Sequence, residues 1–171
     1  MRMYKYNSFG EYRVGIGYDI HRFGKGRGLV LGGVKIPYKL GLVGHSDADV
    51  LLHAISDAIL GALGLNDIGY YFPPTDERWR GVSSKKILLK AKELLLEHGF
   101  DIMNIDTIII AEKPKIAPYV PEMKKIISSI LGIGEGCISV KATTNENIGI
   151  IGKNLGIAAF AIVLIKKKII K

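Results

Sequence analysis

The 171-residue sequence predicts an α+β fold in which helices cover one face of a mixed β-sheet. Three observations carry that expectation. Period-two and period-3.6 patterns follow one another along the chain in the order ββαα, βα, ββ. The first helix, ADVLLHAISDAILGAL, is apolar nearly all round and therefore belongs between layers. The last strand, IAAFAIVLI, has almost nothing polar to turn towards water, so the second face of the sheet needs a cover, and packing in an oligomer supplies one.

Each element has a local reason. In residues 13–21 (RVGIGYDIH), Val14, Ile16, Tyr18 and Ile20 leave one face of a strand, and Gly15, Gly17, Asp19 and His21 leave the other. Residues 29–36 (LVLGGVKI) read as a second strand closed by Pro37. Ser46 opens the apolar helix, with Asp47 and Asp49 in its first turn and Gly64 just past its end. The next helix, residues 84–98, turns Ile87, Leu88, Ala91, Leu94 and Leu95 inwards and stops at Gly99. A strand at 102–111 leads to a helix at 121–131, with Pro121 in its first turn and Gly132 beyond. Strands at 138–144 and 157–165 complete the fold. With no internal repeat or Pro/Ser-rich linker, residues 13–167 form one domain, between an N-terminal extension (1–12) and a basic tail (168–171).

Composition narrows the function. A chain that is 48% hydrophobic and 23% charged is neither disordered nor collagen-like. Its longest apolar run, residues 157–165, is nine residues long against the ~20 a membrane helix needs. Residues 1–12 lack the apolar core of a signal peptide, and the single Cys137 allows no internal disulfide. A cytoplasmic, membrane-free domain follows. The net charge is +8, but KKKIIK at 166–171 carries four of those charges. That is a solvated end rather than a nucleic-acid patch, whose charge lies on one face among aromatics. The alternative, a basic nucleic-acid binder, predicts salt-sensitive binding that depends on this tail.

The strongest chemical signal is Asp19-x-His21, two side chains leaving one strand face beside two glycines. His53, in the middle of the apolar helix, supplies a third ligand, and the set suits zinc with one position open. The same ligands suit non-haem Fe(II), and an oxygenase is the corresponding alternative enzyme. Asp49 and Asp57 lie four residues either side of His53, placed to accept its second ring N–H. Gly44-His45-Ser46 runs into a helix N-terminus, where a phosphate would find free N–H groups; a simple Ser46 cap is the plainer reading. Lys141-Ala-Thr-Thr-Asn-Glu146 ends a strand in hydroxyls and a carboxylate before a Gly-rich loop that carries Lys153. Such groups hold phosphates, with Mg²⁺ on Glu146, or make an ordinary turn. The Walker spacing is absent. No Ser-His-Asp or Cys-His arrangement stands out, so a covalent intermediate lacks support.

Taken together, GYDIHRF, LGGVKIPY, GHSDADVLLHAISDAILGALGLNDIGYYFPPTD, IIAEKPKIAPY and VKATTNENIG resemble one family, 2-C-methyl-D-erythritol 2,4-cyclodiphosphate synthase. The resemblance spans residues 13–167. It implies a homotrimer with active sites at subunit boundaries, one Zn²⁺ per subunit, and Mg²⁺ or Mn²⁺ with the substrate diphosphate. It also implies an intramolecular phosphoryl transfer that releases CMP from a cytidine diphosphate substrate. By the same resemblance the zinc falls on Asp19, His21 and His53. The methylerythritol phosphate falls on His45, Ser46, Asp67, Ile68 and Gly69, with Phe72 and Asp76 nearby. The cytidine falls on Ala111, Lys113, Pro114, Lys115, Ile116, Ala117, Thr143 and Thr144, and the second ion on Glu146. Substrate contacts extend to Ile150 and Lys153, and His45 and Thr144 take the catalytic roles. Pro74, Asn145, Ile150 and Lys153 stand where the family commonly has Asp, Thr, Phe and Arg. Lys153 keeps the charge of Arg without its bidentate fork.

Overall fold

The computed structural model describes residues 11–168. Most of the expected N-terminal extension and the last three residues of the basic tail lie outside them. Four strands come first: β1 (Tyr12–Gly24), β2 (Leu29–Leu31), β3 (Val34–Ile36) and β4 (Gly41–Leu42). Helices α1 (Val50–Leu63), α2 (Ile68–Tyr71) and α3 (Ser84–Glu97) follow. Then come β5 (Phe100–Ile110), α4 (Val120–Leu131), β6 (Ile138–Thr143), α5 (Gly149–Gly152) and β7 (Gly156–Lys167). The main sheet has the order β4-β1-β7-β5-β6, antiparallel except for the β5/β6 pair, which α4 connects. The mixed sheet and its helical layer are as the sequence predicts.

Two readings are corrected. LVLGGVKI is a hairpin, β2 and β3, because Gly32 (φ +57°) and Gly33 (φ +76°) turn the chain between two three-residue strands. The first helix begins at Val50, with Asp49 as its cap, rather than at Ser46. Asp49 is fully buried; its carboxylate accepts from Leu52 N at 3.1 Å, Gly32 N at 2.9 Å and Gly33 N at 2.7 Å. One side chain thus caps α1 and fastens the hairpin to it. The sequence places the strand at 157–165 and the helices at 84–98 and 121–131 within one or two residues of their ends.

The central contact is between β1 and α1. A Cβ at Gly15 would lie 1.9 Å from the Ala58 carbonyl oxygen, and one at Gly17 the same distance from that of Ala54. Only glycine lets the strand lie directly on the helix backbone there. The strand residues that follow Gly17 on this face are Asp19 and His21, and α1 presents His53 beside them. The core fills the space between sheet and helices, with Leu51, Leu52, Ile55, Ile59, Leu88, Phe100, Ile105 and Ile109 fully buried.

The opposite sheet face is open. Val14, Ile16, Tyr18 and Ile20 of β1 lie there with Phe160 and Ile162 of β7, the Ile16 side chain 67% exposed. Register pairs Ile16 with Ile162 and Tyr18 with Phe160, whose rings are 4.6 Å apart. Among the described residues no helix is long and apolar enough to cross a membrane.

Candidate metal centre

Asp19, His21 and His53 each offer one ligand atom, all within 4.8 Å of one another. Asp19 Oδ2 is the centre of the group, 2.7 Å from His53 Nδ1 and 3.2 Å from His21 Nε2. The other ring nitrogens are held. His21 Nδ1 donates to the Val43 carbonyl at 2.9 Å, which leaves Nε2 to face Asp19. His53 Nε2 meets the hydroxyls of Ser46 (3.0 Å) and Ser84 (2.9 Å). Burial pulls the Asp19 carboxyl upward, but hydrogen bonds from His21 and His53, and their charges, outweigh it and hold it far below the usual range. Burial likewise pulls His21 down, and the Asp19 contact prevails and raises it. Two imidazoles and one carboxylate, oriented from behind and converging on one point, are a donor set that suits zinc or non-haem iron with a position left open.

Asp49 and Asp57 do not orient His53. Asp49 is committed to the hairpin and the α1 cap, and Asp57 accepts from Ile68 N at 2.8 Å. Ser46 and Ser84 orient it instead. Ser84 opens α3, and its hydroxyl donates to Asp47, whose carboxylate also accepts Ser84 N at 3.1 Å. Ala48, at φ +59°, reverses the chain so that Asp47 faces α3 while Asp49 faces the hairpin. Arg27, which sequence reasoning missed, fixes the same turn by donating to the carbonyls of Gly44 (2.6 Å) and Ser46. Asp19, His53 and Ser84 in line have the connectivity of a hydrolase triad. Ser84 has no exposed surface and already donates to Asp47, so it is no nucleophile.

A hollow of about 190 Å³ opens over the three ligands. It brings together Asp19, His21, His45, Ser46, His53, Ile68, Gly69 and Phe72 of the residues singled out from sequence, and adds Trp79, Val82 and Ile87. His45 Nε2 is buried without a hydrogen-bond partner among the described residues. Asp67, the cap of α2, and Asp76, which caps the turn at Glu77–Trp79 and pairs with Arg78, do not line this hollow. Trp79 packs edge-on against Phe72, ring centres 4.9 Å apart, which no local sequence pattern signals.

A second hollow, of about 280 Å³, is lined by Ala111, Pro114, Lys115, Ile116, Ala117, Thr143 and Thr144, with Glu112 and Ala142. Lys113 is exposed and does not line it. The Glu112 carboxylate accepts from Asn145 N (2.8 Å) and Asn147 N (3.3 Å), securing a turn in which Glu146 and Asn147 have φ of +50° and +64°. Thr144 Oγ1 donates to Glu146 Oε1 at 2.9 Å. Ile150 and Lys153 are exposed on and after α5 and line neither hollow. The two hollows share no residue, so within one chain His45 and Thr144 stand in separate sites.

The YgbB family profile matches residues 12–166. A 2-C-methyl-D-erythritol 2,4-cyclodiphosphate synthase from Symbiobacterium thermophilum is 55% identical over 152 residues, 89% of this chain and 97% of that protein. The CDP complex of Plasmodium falciparum IspF superposes with a TM-score of 0.82 at 40% identity, covering 95% of this chain and all of that one. The bifunctional IspDF from Campylobacter jejuni gives a TM-score of 0.89 at 42% identity over 93% of this chain, which spans 43% of the longer protein.

Proposed function

The chain belongs to the YgbB family, and from that membership we propose how its two hollows carry out the family reaction. Its activity is that of a 2-C-methyl-D-erythritol 2,4-cyclodiphosphate synthase, a lyase of the non-mevalonate route to isoprenoids. In that reaction the 2-phosphate of 4-diphosphocytidyl-2-C-methyl-D-erythritol 2-phosphate attacks the β-phosphorus. The bond to the bridging oxygen breaks, CMP leaves with that oxygen, and the cyclic diphosphate closes. The observation that carries the assignment to residues is the convergence of Asp19 Oδ2, His21 Nε2 and His53 Nδ1 beneath the first hollow.

Zinc held by Asp19, His21 and His53, and Mg²⁺ or Mn²⁺ held by Glu146, would neutralise and orient phosphate oxygens that otherwise repel one another. The protein's own groups do the rest. His45 and Ser46 donate to the methylerythritol phosphate, and Ile68, Gly69 and Phe72 hold the carbon chain in a pocket that excludes water. Asp67, the cap of α2 beside Ile68, receives its hydroxyls. The loop from Ala111 to Ala117, with Thr143, holds the cytidine, and Thr144 steadies the diphosphate. No side chain is needed as a nucleophile, because the substrate carries its own, and the work is alignment.

Reaction across two separate hollows requires a neighbouring subunit. The open face bearing Ile16, Tyr18, Phe160 and Ile162 supports a homotrimer in which the second hollow of one subunit closes over the metal centre of the next.

The test measures CMP release from the cytidine diphosphate substrate, with and without a chelator. Wild-type protein releases CMP and stops when metal is removed. Asp19→Asn loses bound zinc, whereas Glu146→Gln keeps its zinc and needs more Mg²⁺ for half-maximal rate. If Glu146→Gln loses zinc or keeps the wild-type Mg²⁺ dependence, the division of the two ions is wrong.

A further inference from the structure

We propose that Asp47 and Ser84 are positioning residues that fix the tautomer of His53, so that its Nδ1 lone pair points at the metal position. The inference rests on the metal centre proposed above and follows from counting hydrogens. A carboxylate can only accept. The Ser84 hydroxyl lies within hydrogen-bond reach of Asp47 Oδ1, so its single hydrogen is spent there. Both Asp47 oxygens also accept the Ser84 backbone N–H at 3.1 Å, which keeps the carboxylate facing this way.

What remains on Ser84 Oγ is a lone pair, 2.9 Å from His53 Nε2. The hydrogen in that contact has to come from the imidazole. Ser46 Oγ, 3.0 Å from the same nitrogen, accepts Ala48 N–H at 3.0 Å and keeps a second lone pair for the ring N–H. Nε2 therefore carries a proton, and in a neutral ring Nδ1 carries none.

The same Nδ1 stands 2.7 Å from Asp19 Oδ2, a contact closed by a proton when the ring is charged and open to a cation when it is neutral. Two acceptors at that separation repel unless a cation lies on them. The His21 ring is set by the same logic with simpler parts, since the Val43 carbonyl at 2.9 Å fixes its proton on Nδ1 and turns a bare Nε2 to Asp19. In the neutral rings two imidazole lone pairs thus face the Asp19 carboxylate because the two ring hydrogens are engaged elsewhere. At His53 the engagement comes from residues far apart in sequence. Asp47 hangs from the Ala48 reversal, and Ser84 is the fully buried first residue of α3. The arrangement also spans α1 and α3, so the packing of those helices sets the ring's orientation.

Asp47→Asn tests this most directly. It keeps the shape but gives the group a donor, so Ser84 is free to turn its hydrogen towards His53 Nε2. Ser84→Ala removes the acceptor altogether. Two quantities are measured: zinc affinity by chelator competition, and the His53 tautomer from ¹⁵N shifts of the neutral ring in metal-free protein. Both variants are expected to bind zinc about 10- to 100-fold more weakly, as loss of a partner behind a metal-bound histidine typically does. The ring should move from pure Nε2–H to a mixture, while thermal unfolding of the metal-free protein confirms an intact fold. Wild-type zinc affinity in both variants, or an unchanged Nε2–H ring, overturns the proposal. If wild-type protein binds no zinc, the metal assignment fails, and the ¹⁵N shifts still decide whether Asp47 and Ser84 set the tautomer.

Discussion

Asp57 shows what a single buried charge does here. Its carboxyl is raised above its ordinary value of 3.8, chiefly by burial, with Asp67 and Asp19 adding repulsion and Ile68 N–H and His53 opposing it. A carboxyl with a raised value favours the fold when protonated, so its contribution is fully present below about pH 3.8 and is lost as pH rises through the folded value. Asp57→Asn keeps an acceptor for Ile68 N–H and removes the charge. It is expected to raise the unfolding temperature of metal-free protein at pH 7, with the gain shrinking towards pH 4; thermal melts across that range measure it. At this scale the convergence of three donors was legible, because Asp19 and His21 share a strand face by parity and His53 is the one histidine inside an apolar helix. Their supports were not. Asp49 and Asp57 sit at the helical spacing for His53, yet the hairpin and α2 claim them. The true partner Ser84 arrives from 31 residues away, a distance that no periodicity encodes.

Glycines decide the elements. In β1, Gly15 and Gly17 are the reason α1 lies directly on the strand, and that contact brings His53 to Asp19. Gly17→Ala would push a methyl group into the Ala54 carbonyl oxygen, with Ala58 N at 2.8 Å behind it. Both are backbone atoms and cannot turn aside, so a cost of about 3 kcal/mol is expected, the upper end for overpacking. Denaturant unfolding measures the loss. Zinc affinity should fall in the same variant, because the helix carrying one ligand moves away from the strand carrying two. The Gly32-Gly33 pair was the missed signal. Read as part of a strand it looks like a weakness, but two positive φ values in succession make a hairpin turn. The helix start was displaced for a similar reason. Ser46 and Asp47 have the chemistry of caps, but their side chains face His53 and Ser84, and Asp49 takes the capping role.

For the whole molecule, helix coverage of a mixed sheet was readable from the order of periodic segments. The strand order was not, since β1 pairs with β7 across most of the chain's length and such long-range pairing leaves no local trace. The open apolar face predicts a species of about three times 18.7 kDa by analytical sedimentation. Ile16→Glu places a charge at the most exposed of these positions and should yield a folded monomer by circular dichroism, with CMP release lost along with the neighbouring subunit. A wild-type monomer at micromolar concentration, or a fully active Ile16→Glu monomer, would refute the shared site. The alternation along β1 carries a consequence for how this protein can change. Odd positions from Gly15 to His21 face α1 and the candidate metal centre, and even positions from Val14 to Ile20 form the open apolar face. A substitution in one set leaves the side chains of the other set on their own face. An insertion or deletion of one residue within this stretch exchanges the sets, turning the ligands outward and the large apolar side chains into the helix backbone. Exchange of residues along this strand and a change in its length are therefore different events, and only the second turns every side chain over at once.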